Sequence, residues 1–572
     1  MITENTFHNI HPLDLVFFVS HEFNRDYTSF KIDNGEWYII GDLIIPRAFD
    51  GRKKEYFESV FSSFSIEKLQ QLKGIFYLIQ INIKNKCLKV YNSLFSILPV
   101  YYFLSKDFLY ISSRIDLIRK FGEEKFEISK KYILEKTLFN YALFNETPFD
   151  GIKLLASNHY LSFDHKLEIV RHTNILDYYT DHPISAKKAI DYISDLFIEL
   201  TADYFPKEHF YMSLTGGLDG RTLIALALNL NKRFTTYSFG SEIEKDVIIP
   251  RKITSKLGIY HHPLILDEHF AKYEFFDSGT KALHITECNL NFSRAHYNYM
   301  AKQLSKNTNY IVTGIFGSEV IRTMHMAGNL IAQATFDIFE QDSNEDLLLK
   351  LRKNCRLKYL RIGTFNHEFE QLIEEILEYK KAFLSELNKN KKFYLYIFEE
   401  VFRKFFGPEI VLEQKYLFNR TPYLNFEFIK DLLQTELAGA NATFKENNPL
   451  ERYKGQMLYP YIIRKTYPKL LNYRLDRGYK PRDFLHSYGK INIIEAYYYR
   501  KIFDRKRDKP PYFTNQCFTL NLDLFRKINL DSGLCNVNYI INDVFNHGYW
   551  KKDLINFSNM MSLTKYLNLI KY

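Results

Sequence analysis

The sequence predicts a mixed chain, α/β together with α+β: a β-rich N-terminal part, a doubly wound parallel sheet, and a large helical C-terminal part. Three observations predict it. Residues 1 to about 175 carry short β-branched and aromatic runs separated by turn residues. From Ala186 apolar strand runs alternate with helical patterns, the signature of a parallel sheet. From about Gln333 onward Leu, Phe and Tyr recur at helical spacing. At 572 residues the chain exceeds one ordinary core, so two domains are expected, 1–178 and 185–572.

In the first part EWYIIGDLII, GIFYLIQINI, CLKVYNSLF, VYYFLSKDFLYIS and HYLSFDHKLEIV read as strands. Asn-Lys, Lys-Asp and Asp-His pairs mark the hairpin tips. Lys53–Gln71 reads as helical, and the polar stretch Asp177–Lys187, with Pro183, suits a linker. AIDYISDLFIELTADYF is an amphipathic helix. Then follow strand 209–214, helix 221–230, strand 233–239, helix 248–257, strand 259–265, a helix near 293–305 and strand 309–313. Ligands of such a sheet are expected at the carboxyl ends of its strands. The sequence shows neither an internal repeat nor a low-complexity tract.

Apolar residues at 46% place the chain among globular proteins. Aromatics reach 17%, with 50 Phe and 43 Tyr but 2 Trp, which we read as compositional bias. No apolar run has the length of a membrane span, and MITENTFHNIHPLD lacks a basic segment followed by an apolar one, so no membrane is expected and the location expected is cytoplasmic. Five scattered cysteines (Cys87, Cys288, Cys355, Cys517, Cys535) read as reduced thiols mostly in cores, not as a disulfide framework, zinc ribbon or redox pair. The net charge of +10 is modest. The basic runs KLRKNCRLKYLR and RKIFDRKRDK read as solvated helix faces, and nucleic acid is not an expected partner.

The most specific stretch is FYMSLTGGLDGRTLIALAL, Phe210–Leu228. A strand runs through Ser213 and Leu214 into a turn of Thr215, Gly216, Gly217, Leu218, Asp219 and Gly220, and a helix follows at once. Loop amides and a helix N-terminus in that order cradle phosphate. The loop lacks the G-x-G-x-x-G of dinucleotide sites and the Lys of a Walker A loop. Asp219 is either a partner of the helix dipole or a metal or phosphate ligand. Arg221, a cation in the first helical turn, calls for an anionic partner. Asp246 reads equally as a cap of helix 248–257 and as a site residue. His261 and His262 read as neutral core or rim histidines, and Lys454 as either a solvated lysine or a site residue. Arg477 and Lys480, in DRGYKPR, are candidates for an anionic group.

The loop resembles the pyrophosphate loop of ATP-pyrophosphatases. Three further segments stand in the matching order: FTTYSFG, Phe234–Gly240; YIVTGIFGSEVIR, Tyr310–Arg322; and NRTPYLNFEFI, Asn419–Ile429, followed by the region of Lys454 and LDRGYKPRDF. That order resembles the synthetase domain of the asparagine synthetase superfamily, which includes β-lactam synthetases and lasso-peptide macrolactam cyclases. The resemblance implies an adenine nucleotide α-hydrolase-like fold, with ATP on Ser213, Leu214, Thr215, Gly216, Gly217, Leu218, Asp219, Gly220, Arg221, Ser238, Phe239, Gly240, Thr313 and Gly314. It implies Mg²⁺ held by Asp219 and Glu319, and Glu319 and Lys454 as catalytic residues, the lysine meeting the activated intermediate. LKGIFYLIQINIKNKCLKVYNSLFSILPVYYFLSKDFLYISSRIDLI is similar to a class II glutamine amidotransferase domain, an Ntn-hydrolase-like sandwich. The resemblance covers at least residues 40–120 and 185–485.

Departures redirect the expected function. Ile2 follows Met1 and the first cysteine is Cys87, so the N-terminal nucleophile of a glutamine-using member is missing and glutaminase activity is expected to be absent. Gly220 stands where the family has Ser, Ser318 where it has a metal-binding Asp, and Ile315 where asparagine synthetases have Glu and β-lactam synthetases Tyr. The resemblance then implies an ATP-dependent, amide-bond-forming synthetase of peptide or small-molecule biosynthesis, which adenylates a carboxylate and lets an amine displace AMP. Alternatives are an ammonia-using asparagine synthetase and a non-catalytic nucleotide-binding scaffold. The implied partners are a small-molecule or peptide carboxylate and amine substrate, with a precursor peptide or a leader-peptide-binding partner and a homodimer as further candidates.

Overall fold

A computed structural model describes residues 5–10, 15–20, 27–32, 35–82, 84–122, 124–322, 332–341, 343–384, 387–444, 448–503 and 512–571. The N-terminal region is antiparallel. Strands β1 (Asn5–Ile10) and β2 (Leu15–Ser20) pair with each other. A six-stranded sheet takes the order β11-β10-β6-β5-β4-β3, from β3 (Tyr27–Ile32), β4 (Gly35–Ile44), β5 (Lys73–Asn82), β6 (Cys87–Asn92), β10 (His159–Phe163) and β11 (Leu167–Arg171). Strands β7 (Tyr101–Leu104), β8 (Leu109–Ser112) and β9 (Lys153–Leu154) form a small third sheet. The expected hairpin tips fall where read, and two of them, Lys86 and His165, take positive φ of 49° and 108°.

Strands β4 and β5 alternate with period two, yet both their faces are apolar because both are covered. Trp37, Ile39, Phe76 and Leu78 pack under helices Lys53–Phe61 and Ile66–Gln71. Tyr38, Ile75, Tyr77 and Ile81 face the other way, into a core that continues through the rest of the chain to Leu567.

The second region is built on a parallel sheet of five strands, β12 (Phe210–Ser213), β13 (Phe234–Gly240), β14 (His261–Ile265), β15 (Tyr310–Val312) and β16 (Phe418–Arg420), ordered β14-β13-β12-β15-β16. Successive strands β12, β13 and β14 step one way from the centre and β15 and β16 step the other. The order therefore reverses between β12 and β15, and the loops leaving these two strands open a crevice at their carboxyl ends. Helices Asp219–Asn229, Lys245–Leu257 and His296–Leu304 follow the strand pattern, and helices dominate from Gln333 onward.

The two regions are joined at several depths. Ile184, in the stretch read as a linker, exchanges backbone hydrogen bonds with Gln434 and Glu436 at 2.9 Å each. Phe95 packs its ring on Phe398 and Phe402. Helix Leu554–Ile570 reaches back to the first region: Asn559 Nδ2 donates to Asn140 Oδ1, and Ile570 O accepts from Arg119.

Candidate functional site

The loop after β12 lies at the switch point. Its helix, Asp219–Asn229, starts with Leu218 as the preceding residue and has no side-chain cap. The first-turn amides of Asp219, Gly220 and Arg221 have no intrahelical acceptor, as at any helix start, so the dipole end and these donors face the crevice uncapped. Thr215 is exposed at the loop's tip, and its Oγ1 accepts from the Gly217 amide at 3.3 Å. Leu214 and Leu218 are buried anchors, the Leu214 amide bonding Tyr237 O of β13.

Close backbone approach dictates two glycines here. A Cβ on Gly220 would stand 2.4 Å from Ser213 O, and one on Gly314 would stand 2.7 Å from Asp219 Cβ and 2.8 Å from the Gly220 amide nitrogen. The loops after β12 and β15 thus touch through residues that lack side chains. Beyond Gly314, Phe316 takes a left-handed φ of 72°. The strain of about 1–2 kcal/mol is offset by full burial of its ring against Phe402 and Phe406.

Asp219 is the hub. Ser318 Oγ donates to its Oδ2 at 2.9 Å, Tyr459 OH donates to its Oδ1, and Tyr423 OH donates to its carbonyl at 3.1 Å. Glu319 is buried beside it. Burial first, and the Asp219 charge second, push the Glu319 carboxyl up to about 7. The structure therefore brings Asp219, Ser318 and Glu319 together, as expected from their order in the sequence. These are hard oxygen donors, the chemistry that suits Mg²⁺. Among the described residues no three His, Cys, Asp or Glu side chains converge as a cage, and a Mg²⁺ site is ordinarily completed by phosphate oxygens and water. With those completing ligands the residues fit the ion.

Two residues brace the loop from outside. Asp246 lies in the first turn of helix Lys245–Leu257, which starts three residues earlier than expected, and accepts the Gly216 amide at 3.0 Å rather than capping its own helix. Burial raises its pKa. Asp476 donates its amide to Gly216 O at 3.1 Å. Its Oδ1 is buried without a hydrogen-bond partner among the described residues, the nearest cation being Arg477 Nε at 4.0 Å.

Arg221 donates to two backbone carbonyls, Tyr473 O at 2.6 Å and Arg474 O at 3.2 Å, and the Asp476 carboxylate is near enough to act on its charge. Its side chain is fully buried, and that burial lowers its pKa to about 10. Its Nε has no hydrogen-bond partner among the described residues, and through its other two nitrogens Arg221 fastens the helix to segment 473–474, next to Asp476, which in turn lies on the loop.

Ser238 Oγ bonds His261 Nε2 at 3.2 Å, and burial lowers the His261 pKa to about 4, in keeping with a neutral rim histidine. The Phe239 ring packs on His296 and Tyr297. Gly240 ends β13. Thr313 turns to its neighbour strand, bonding Asn419 Oδ1 at 2.7 Å. Ile315 contributes its carbonyl, which accepts from Thr421 at 2.8 Å. Lys454 stands just before helix Leu458–Thr466, but its ammonium is held by Glu451 at 2.7 Å and Glu436 at 3.7 Å. Burial works to lower its pKa, and these two carboxylates outweigh that and hold it above the ordinary lysine range. It lines a cavity of about 130 Å³ with Glu436, Glu451 and Ile321, at the far end of the short helix Gly317–Ile321. Arg477 is tied to Gln456 and faces the Tyr453 ring, and the Lys480 amide donates to Asp483.

Sequence reasoning missed Tyr459, Tyr423 and Asp476. The tyrosines carry no spacing signal in a chain with 43 of them. Asp476 sits inside a run read for its basic members. Of those basic runs, Lys350–Arg361 is partly internal, Arg356 being tied to Leu138 O and Asn140; Arg500–Lys509 falls largely outside the described residues. All five cysteines are free thiols, three of them buried. No helix among the described residues is long and apolar enough to cross a membrane. No family model matches the chain, and no curated protein matches it.

Proposed function

We propose that this chain is an asparagine-synthetase-like, ATP-dependent synthetase that forms an amide bond, its parallel-sheet region an ATP-pyrophosphatase fold and its antiparallel region an Ntn-hydrolase-like partner. The observation that carries the reading is the uncapped helix start at Asp219, at the switch point of a parallel sheet, behind a Thr-Gly-Gly-Leu-Asp-Gly loop. That geometry supports an anion with several phosphate oxygens.

In the proposed reaction a substrate carboxylate attacks the α-phosphorus of ATP, pyrophosphate leaves, and an amine then displaces AMP from the acyl-adenylate. The loop amides and helix dipole face the departing pyrophosphate and stabilise its charge. Asp219 and Glu319 would hold Mg²⁺, which when bound supplies further charge neutralisation. Tyr459 and Ser318 orient the Asp219 carboxylate. Asp246 and Asp476 fix the loop through Gly216. Lys454 stabilises the oxyanion of amine attack, which requires its release from Glu451. No side chain at Ile315 can take a proton, so placement of the amine supplies the rate advantage at that step.

The test is ATP–pyrophosphate exchange with a panel of carboxylic acids and peptides. An acid-dependent exchange that Asp219→Ala abolishes supports the reading. One observation favours a second reading, a non-catalytic nucleotide-binding protein: both oxygens of Asp219 already accept hydroxyl donors. ATP binding without exchange for any acid would select it.

A further inference from the structure

Helix Gly489–Phe503 is seated on one face and open on the other. On the seated face Ile493 and Tyr497 are buried, and the Tyr497 ring packs on Tyr453 with 6.4 Å between centroids. Asn492 Nδ2 donates to Asp483 Oδ1 at 3.2 Å, and Arg500 Nε donates to Ala496 O at 3.1 Å. These contacts fix which face the helix turns outward.

The outward face is apolar where a solvated helix is polar. Ile491, Tyr498 and Ile502 are 66%, 48% and 60% exposed. With Glu495 they stand at spacings of four, three and four residues, the alternation of a coiled-coil seam. Tyr488, exposed just before the helix, continues the stripe. Glu495 is exposed and has no ion pair among the described residues.

The seam complements itself. Two copies running antiparallel about a two-fold axis midway between Glu495 and Tyr498 set each Glu495 opposite the other copy's Tyr498. The same axis sets each Ile491 opposite the other copy's Ile502. A phenol hydroxyl donates and a carboxylate accepts, so each Tyr–Glu layer closes with a charge-assisted hydrogen bond. The isoleucine layers flank them and exclude water. A parallel pairing would instead put Glu495 against Glu495, two carboxylates in one layer. One helix thus supplies both halves of an isologous contact.

We propose that a second copy of this chain docks on the outward face of helix Gly489–Phe503, as an antiparallel helix pair. The surface backs onto the region already described, since Tyr453 precedes Lys454, but the proposal is independent of the ATP reading. Four layers make a small contact, so the dimer is reversible and grows with concentration.

Cysteine cross-linking on the full chain reads the register. Ile491→Cys and Ile502→Cys are made separately in a Cys355→Ser background, which removes the one exposed native thiol. Mixed and oxidised with copper phenanthroline, the two variants should form a disulfide-linked dimer of one with the other. Each variant alone should cross-link at least about fivefold less, because like positions stand about 16 Å apart along the pair and a disulfide spans less than about 7 Å. Sedimentation velocity of the native chain should show a dimer that grows with concentration. Ile491→Asp, which sets a carboxylate against isoleucine, should weaken it about tenfold or more, and Tyr498→Phe by a smaller factor. A chain that stays monomeric at every concentration would overturn the proposal and leave the face to a different partner. A dimer unchanged in Ile491→Asp would overturn the surface, and cross-links between like positions would overturn the antiparallel register.

Discussion

Arg420 and Asp42 meet through two parallel hydrogen bonds, Nε to Oδ2 at 2.7 Å and Nη2 to Oδ1 at 2.9 Å. Arg420 ends β16 of the parallel sheet and Asp42 lies on β4 of the antiparallel one. The Arg420 guanidinium also lies 4.5 Å from the centre of the Tyr310 ring. One planar contact thus couples the two sheets. Removing one partner strands a buried charge, at a cost of about 3–5 kcal/mol. Asp42→Leu and Arg420→Met should each lower the unfolding free energy by that order in denaturant titrations, and the double variant should recover most of it. Additive losses would show that the pair is not coupled.

Gly314→Ala tests the approach of the two loops. The added methyl meets Asp219 Cβ and the Gly220 amide, both well inside contact distance. Overpacking of this kind costs about 1–3 kcal/mol. If the loop binds ATP, affinity for a fluorescent ATP analogue should fall about tenfold or more while the chain stays folded by circular dichroism. Unaltered affinity would mean that the nucleotide does not use this face.

Tyr459→Phe removes one of the hydroxyls on Asp219 without changing the ring. The loss of a hydrogen bond to a charged group predicts about 1.5–3 kcal/mol lower stability. The freed oxygen should bind divalent cations more tightly, visible as a several-fold lower Kd for Mn²⁺ by electron paramagnetic resonance. Asp219→Asn should abolish that gain. Identical Mn²⁺ affinity in the wild type and Tyr459→Phe would count against Asp219 as a cation ligand.

Glu319 sets a pH dependence. Its folded-state pKa is pushed up to about 7, from 4.5 for an unperturbed carboxyl, by burial and then by Asp219. The folded chain therefore keeps a proton that the unfolded chain gives up, and stability is lost as pH rises through that window. Glu319→Gln cannot ionise. Its stability advantage over the wild type should widen between about pH 4.5 and pH 7 and then level off. A difference that stays flat across this range would contradict the assignment.

The alternation of strands and helices was legible from residue 186 onward because each strand is a short apolar run and each helix an amphipathic one. The loop Thr215–Gly220 was legible because strand, glycine-rich turn and helix follow one another in the sequence; Gly220 answers to the neighbouring Ser213 carbonyl, whereas Gly216 answers to the distant Asp476. What lay hidden depends on long-range placement. Nothing local marks Tyr459 as a partner of a residue 240 positions away. Arg221 was legible as a cation that needs acceptors, but nothing local shows that segment 473–474 supplies two carbonyls and Asp476 the charge beside it. Strand β3 escaped notice because its sequence, YTSFKI, mixes polar residues into an edge strand with no fully buried position.

The continuous core has a consequence for biosynthesis. Tyr132 and Leu138, from the N-terminal region, share one apolar cluster with Met560 and Leu563 of the last helix, and Arg119 bonds a carbonyl 451 residues downstream. A ribosome adding about 5–20 residues per second leaves those side chains waiting roughly 20–90 seconds for their partners. During that interval the early sheet presents an uncovered apolar face, so the nascent chain is a natural client for chaperones. Truncations that remove the last helix should therefore accumulate in the insoluble fraction, even though every residue of the phosphate loop is retained.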